Sequence, residues 1–408
     1  MERISRYILV LVTIVTASIV LPGLYWMAFE KPINAPFVMY SCINDDFMII
    51  RSGVFSDKKG NKYSREEYEQ KLPFMNYRQL MVAETMPDTI KGVAIDMHEL
   101  SRTKSFYRFK PDEMQAPKPA LYPLLESESG RASLEMPDDF FRITWRMEFI
   151  NAENNTILEE KSRMFSAVLY HKGFQFPARM ISGLPTTRKS CDEGYFVVDA
   201  SYQLYHIKMI KGNPYIHKIE LPEGLKFKNI GCVDFRDKEF YAYLFSDKNE
   251  IYVIQQDTYD LVKLPVEGFV PEICELSIWG DLFNYNAIFK SEGQIKDVVL
   301  DRKFKKVDEF NETWLKKEER FEGKAFSSLF PAQLSLDDKN SSFISFYFQK
   351  SKGFNWLIVN LVLVLVHLGI LRNRKAKYKK HLADLVIIAV TGIFGFIAVN
   401  FFPNKFFD

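Results

Sequence analysis

Three short runs, QLYHI at residues 203–207, EIYVI at 250–254 and QIKDV at 294–298, recur at intervals of 47 and 44 residues. The run that follows closes on Leu-Pro at 221–222 and again at 264–265, 43 residues later. A repeat of this length, carrying several short strands, is the size of a propeller blade. β-branched and aromatic runs at 195–199, 203–210, 215–221, 240–245, 250–255 and 261–264 read as those strands, because Gly, Asn, Asp and Pro separate them. Earlier runs at 142–150 and 165–170 read the same way. The expectation is a mainly β domain, propeller-like, with its clearest repeats over about 190–312. A β-sandwich or another antiparallel stack has the same local signature and remains the alternative.

Upstream of the repeats, 35–43 and 47–52 form a hairpin pattern around Asn44, Asp45 and Asp46. Ser64 and Glu67 have the spacing of a capping box, in which each side chain satisfies a backbone donor at a helix start, and Pro73 marks the end of that helix. Between 110 and 137, Pro111, Pro117, Pro119, Pro123 and Pro137 predict an irregular linker between two subregions. Downstream, the strand-like 343–348 is expected to pair with the first hairpin, near 37–43, and so to complete a blade.

Apolar segments flank this domain. Residues 354–371 carry no formal charge and 382–403 carry only Asp384, so each is long enough to cross a hydrocarbon layer that needs about 20 helical residues. Residues 8–29 form a similar run behind Arg3 and Arg6, and they continue through Tyr25 and Trp26 instead of ending in a small-residue cleavage site. This predicts an uncleaved signal anchor. Arg372, Arg374, Lys375, Lys377, Lys379 and Lys380 in the loop 372–381 place that loop in the cytoplasm, as the two arginines do for residues 1–7. The expected topology is three transmembrane helices, one N-terminal and two C-terminal, with 30–353 extracytoplasmic and a tail at 404–408 on that same outer side.

The net charge of +2 conceals an asymmetry, since the loop cations leave the exported region mildly acidic. That balance excludes nucleic acid as a partner, which requires a basic face. Walker, dinucleotide and nucleophile-elbow motifs are absent from the sequence. His98-Glu99 opens like a zinc-protease helix, but Arg102 stands where the second histidine belongs. His206 and His217 lie on adjacent expected strands, where pairing Ile210 with Tyr215 makes them diagonal neighbours about 7 Å apart. They are weak metal candidates without a third ligand. Asp234, Asp237, Glu239, Asp297, Asp301 and Asp308 are read as turn decorations. Cys42, Cys191, Cys232 and Cys274 all fall in the exported region, where two disulfides of unknown pairing or buried thiols are equally compatible with the spacing. No catalytic residue and no cofactor is assigned.

Within the apolar segments, Asn360 and His367 share a helix face, and His367 matches Asp384 in depth, so a His367–Asp384 contact is expected. Gly392 and Gly395, with Ala389 and Ala398, form a small-residue surface for close helix packing. The stretches GVFSDKKGNKYSREEYEQKLPFMNYRQLM (53–81) and GFQFPARMISGLPTTRK (173–189) resemble a family of bacterial membrane-anchored proteins of unknown function. The resemblance implies this span arrangement and an association with ABC-transporter components, and it carries no catalytic residue across. The expected function is a non-enzymatic accessory protein of the bacterial inner membrane, multi-pass, that presents a periplasmic β domain and partners a permease complex. The alternative is a periplasmic hydrolase or metal-handling protein with a site built from loops.

Overall fold

A computed structural model describes residues 2–114, 116–131, 133–189, 191–338 and 341–404. The chain divides into two units, residues 35–291 with 295–312 and residues 1–34 with 292–294 and 313–408. Residues 313–353, expected within the β domain, thus group with the apolar helices.

In the first unit, β1 (Phe37–Ser41), β2 (Asp46–Arg51), β3 (Val54–Asp57) and β4 (Lys62–Tyr63) form an antiparallel sheet in chain order. The Ser64–Glu67 capping box is present and opens α2 (Arg65–Lys71), and Pro73 begins α3 (Pro73–Val82). A small ribbon of β5 (Thr89–Ile90) and β6 (Val93–Ala94) precedes α4 (Met97–Thr103) and β7 (Ser105–Phe109). The stretch read as one strand at 142–150 is a hairpin of β8 (Asp139–Ile143) and β9 (Met147–Asn151). The run at 165–170 is helical, within α5 (Glu159–His171). There Ser162, Phe165 and Leu169 repeat at helical spacing on the buried face, and Glu159 and Glu160 suit the positive end of the helix dipole.

Three four-stranded meanders follow. The second sheet holds β10 (Met180–Gly183), β11 (Tyr195–Val198), β12 (Leu204–Ile210) and β13 (Asn213–Lys218); the third holds β14 (Phe227–Cys232), β15 (Phe240–Ser246), β16 (Ile251–Gln255) and β17 (Leu261–Leu264). The fourth holds β18 (Glu275–Gly280), β19 (Asn284–Lys290), β20 (Gln294–Asp301) and β21 (Lys306–Thr313), with β7 added beside β18. The runs QLYHI, EIYVI and QIKDV fall on β12, β16 and β20, the third strand of each meander. The repeat therefore has a structural meaning.

The sheets bury both faces. On β11, Tyr195 and Val197 join Phe141, Phe149 and Phe165 in one core, while Phe196 and Val198 join Ile230, Tyr241 and Leu244 of the next sheet in another. Tyr243, Phe245 and Val253 of the third sheet likewise meet Leu276, Tyr285 and Val298 of the fourth. Complete burial of each such aromatic or aliphatic side chain contributes about 1.5–3 kcal/mol. First strands also meet, as Ser182 Oγ on β10 donates to the Ile230 carbonyl on β14 at 2.7 Å. The proline-rich 110–137 is mostly irregular, as expected. It is no free linker, however, because Leu124 and Leu125 are buried and the Tyr195 hydroxyl donates to the Pro123 carbonyl at 2.7 Å.

The second unit holds α1 (Glu2–Phe29), α6 (Phe321–Leu329), a hairpin of β22 (Ala332–Ser335) and β23 (Tyr347–Lys350), α7 (Trp356–Asn373), α8 (Leu382–Thr391) and α9 (Ile393–Phe401). Ile4–Phe29 and Trp356–Asn373 are long and apolar enough to cross a membrane. The expected third span is not one helix: 382–403 breaks at Gly392 into α8 and α9. Nor does 343–348 complete a blade, since β23 pairs with β22, and β1 pairs with β2. Residues 405–408 of the expected outer tail lie outside the described residues.

Candidate functional site at the broken helix

Leu, Ile and Val dominate α1, α7, α8 and α9, and water alone would drive those side chains inward. They point outward instead: Leu11, Ile358, Leu361 and Val390 are each 60–65% exposed. The polar side chains turn in, with Arg6, Asn360, His367 and Asp384 all buried.

Arg6 organises the site. Its guanidinium donates to both carboxylate oxygens of Asp384, at 2.9 and 3.1 Å, and its Nε donates to the Phe402 carbonyl at 2.9 Å. One side chain thus holds the start of α8 and the residue just past the end of α9. The two helices must double back between them, and Ile388 of α8 accordingly shares a core with Ala398 and Val399 of α9 and Val10 of α1. The fork geometry of arginine makes such a bidentate pair stronger than a point-charge contact. His381 Nδ1 lies 3.5 Å from the same carboxylate. His367 sits beside Asn400 and the Phe396 ring, near enough to Asp384 to interact with it electrostatically, while the direct ion-pair partner of Asp384 comes from α1.

The bend has its own chemistry. Gly392 has φ +61° and ψ −129°, a conformation that only glycine adopts without strain, and a Cβ there would stand 2.3 Å from Asn360 Oδ1. Asn360 Nδ2 donates to the Ala389 carbonyl at 2.9 Å, so α7 satisfies a backbone group that the break exposes. A Cβ on Gly395 would meet Thr391 Oγ1 at 2.2 Å and the Ile387 carbonyl at 2.9 Å. Gly392 thus serves both the bend and the close approach of α7 to it, while Gly395 serves the packing of α9 on α8 within the one segment.

The β unit holds the other predicted residues. His206 and His217 are directly opposite each other instead of diagonal, because Lys211 and Gly212 both take positive φ and make a two-residue turn that pairs Ile210 with Asn213. His206 is fully buried, and its Nε2 donates to the Glu193 carbonyl at 2.5 Å while its Nδ1 accepts from the Tyr259 hydroxyl at 2.8 Å. Both nitrogens are engaged, which leaves no lone pair for a metal. Burial pushes the imidazole down to about 3, keeping it neutral. His217 stacks on the Tyr259 ring at 4.0 Å. Among the described residues no three His, Cys, Asp or Glu side chains are placed to hold a metal ion. Cys42, Cys191, Cys232 and Cys274 form no disulfide with one another, and burial raises Cys42 to about 12 and Cys232 to about 11, which suppresses the reactive thiolate of those two.

Two acidic groups differ from their expected role as turn decorations. Asp237 and Glu239 bind Arg302, at 3.0 and 2.5 Å, beneath the Tyr285 ring. Asp297, on β20, is completely buried with both carboxyl oxygens unpartnered, and desolvation holds it well above the ordinary carboxylate range, with Asp308 adding to the shift. Its position inside a strand core could not be read from a scattered acidic residue. Among the described residues, the largest of three cavities in this unit, about 640 Å³ and open to solvent, is lined by Lys248, Glu250, Lys263, Glu267 and Phe269, and the other two are small. One of about 30 Å³ is lined by Cys42, Trp279, Asp281 and Asn286, and one of about 10 Å³ by Lys189, Cys191, Glu193 and Cys232.

A family profile described as "Domain of unknown function (DUF4857)" matches residues 37–300, and the chain belongs to that family. No curated protein matches. Among solved structures, dihydro-heme d1 dehydrogenase NirN in complex with DHE is similar at 7% identity and a TM-score of 0.21, over 67% of this chain and 78% of that one. A likeness at that score carries no argument about fold or chemistry.

Proposed function

We propose that this family member is a membrane-anchored, non-enzymatic accessory protein, in which α1 and α7 span the bacterial inner membrane and the β unit stands in the periplasm. The observation that carries this reading is the inverted polarity of the helices, with Arg6, Asn360, His367 and Asp384 buried and the aliphatic side chains outside. Such an arrangement is stable only where the solvent is hydrocarbon. In this reading α8 and α9 form a re-entrant hairpin that enters from the cytoplasmic side, bends at Gly392 and returns. At 1.5 Å per residue, α8 rises about 15 Å, half of a core about 30 Å thick. The four meanders, each with both faces or one face packed on its neighbour, serve as blades of a propeller-like domain.

The partner in this proposal is a membrane protein of the ABC-permease type, engaged through the helices, as the family resemblance implies. The hydrolytic or metal-handling alternative has no observation of comparable weight behind it. The test is gentle detergent extraction of the full chain, followed by identification of what co-purifies. A permease component in stoichiometric amount is the expected result. Recovery of the chain alone, under conditions that keep a neighbouring permease intact, would overturn the accessory role.

A further inference from the structure

The hairpin of β22 and β23 exposes an apolar surface that its own strands do not explain. Phe343, Ile344, Phe346 and Phe348 all face outward, Ile344 at 88% and Phe346 at 72% exposure. Residues 341–347 are tied down, because the Tyr347 hydroxyl, 3.0 Å from both, donates to the Phe343 carbonyl and accepts from Ser341 Oγ, while the Ser345 amide donates to the Leu336 carbonyl at 3.0 Å. A monomer in water has no use for a rigid loop that presents four large apolar side chains.

The base of the hairpin fixes where this surface lies. Phe330, two residues before β22, packs its ring 5.8 Å from Tyr25 and 5.6 Å from Phe394. Trp26 stacks on Phe326 at 4.8 Å. Tyr25 and Trp26 close the apolar run of α1, the depth at which aromatic side chains mark a membrane boundary. The Ser351 amide donates to the Pro331 carbonyl at 3.2 Å, which ties the far strand to the same level, and α7 begins only five residues later, at Trp356. Both ends of the hairpin are therefore anchored beside the apolar belt of α1 and α7.

We infer that the hairpin 332–350 lies on the outer leaflet and inserts Phe343, Ile344, Phe346 and Phe348 into the interfacial layer of the lipid. The inference rests on the membrane reading above. Side chains of this kind bury about 5–10 Å into the boundary between headgroups and acyl chains. The hairpin would then fix the height and tilt of the chain between α6 and α7, which the two spans alone leave free.

The test uses the full chain in phosphatidylcholine nanodiscs made with or without bromine on the upper acyl carbons. Single variants Ile344→Cys, Leu361→Cys and Val307→Cys carry a bimane label, and the signal of the labelled unsubstituted chain is subtracted. The expected result is loss of fluorescence to brominated lipid at 344 and at 361 on α7, with none at 307 on β21. Loss at 361 without loss at 344 would overturn the lipid contact and leave the membrane reading intact. A label at 344 that is shielded from water yet insensitive to bromine would overturn it in favour of a protein partner. No loss at either 344 or 361 would remove the membrane reading and this inference together, and equal loss at 307 would remove the distinction between the hairpin and the β unit.

Discussion

The third meander and the helix pair α8–α9 bury opposite kinds of side chain. Around β15, Phe245 sits with its ring 4.7 Å from Phe109 and 5.3 Å from Phe269. Around α8, the buried centre is Arg6 against Asp384 while Val386 and Val390 face out. If the helices stand in lipid as proposed, each region follows the same rule in a different solvent. Water expels the aromatic side chains of the sheets into a dry core, and hydrocarbon leaves polar side chains no refuge except one another. A buried carboxyl is also treated differently: Asp384 receives a guanidinium fork, while Asp297 has none and desolvation raises it well above the ordinary carboxylate range.

This contrast is open to attack at four points. The largest expected effect is Phe245→Ala, which should cost about 3–5 kcal/mol as a cavity opens between sheets. The same kind of truncation at Leu361, exposed on α7, should change the detergent melting curve by less than about 0.5 kcal/mol. Equal losses at the two positions would erase the distinction between the units. Next, Arg6→Ala should destabilise by about 3 kcal/mol because it strands a buried carboxylate. Arg6→Leu combined with Asp384→Leu should recover much of that loss, and a double variant no better than the single one would show that the two side chains act independently.

Gly392→Ala should cost about 1–3 kcal/mol, from backbone strain at positive φ and from the contact with Asn360. Adding Asn360→Ala should relieve only the contact, which a double-mutant cycle of thermal melts would resolve. Asp297→Asn has the smallest effect per step and depends on pH. Because the folded carboxyl titrates above its unfolded value, its contribution is intact below about pH 4 and is lost as pH rises toward the folded value, at no more than about 1.4 kcal/mol per pH unit. The variant should therefore gain stability relative to the parent as pH rises above about 4. Parallel pH profiles would mean that the carboxyl is solvated after all.

Features set by neighbours in sequence were readable in advance. The recurring runs mark β12, β16 and β20 because a meander is built from local turns, and the Ser64–Glu67 cap needs only its own four residues. A span of two residues was enough to mislead about register, since nothing in Lys211-Gly212-Asn213-Pro214 says which pair takes positive φ. Residues 165–170 read as a strand because β propensity is scored over a few residues, whereas helical spacing emerges only across the thirteen of α5. β7 joins β18 from 167 residues away, as the Arg108–Glu275 contact measures, and no local pattern announces it. The helix break was hidden for a related reason. Apolar length continues straight through Gly392, and the bend depends on an asparagine from another helix and on an arginine 378 residues before Asp384.

That separation has a consequence for biosynthesis. If α1 spans the membrane as proposed, Arg6 reaches the bilayer before its counter-ion exists, since Asp384 is made 378 residues later, on the order of tens of seconds behind it at ordinary translation rates. During that interval the arginine has to remain hydrated at the cytoplasmic edge. A product cut short before α8 would keep an unneutralised cation on its first helix, the kind of defect that membrane quality control detects. On that reading the Arg6–Asp384 pair closes only once α8 has folded against α1.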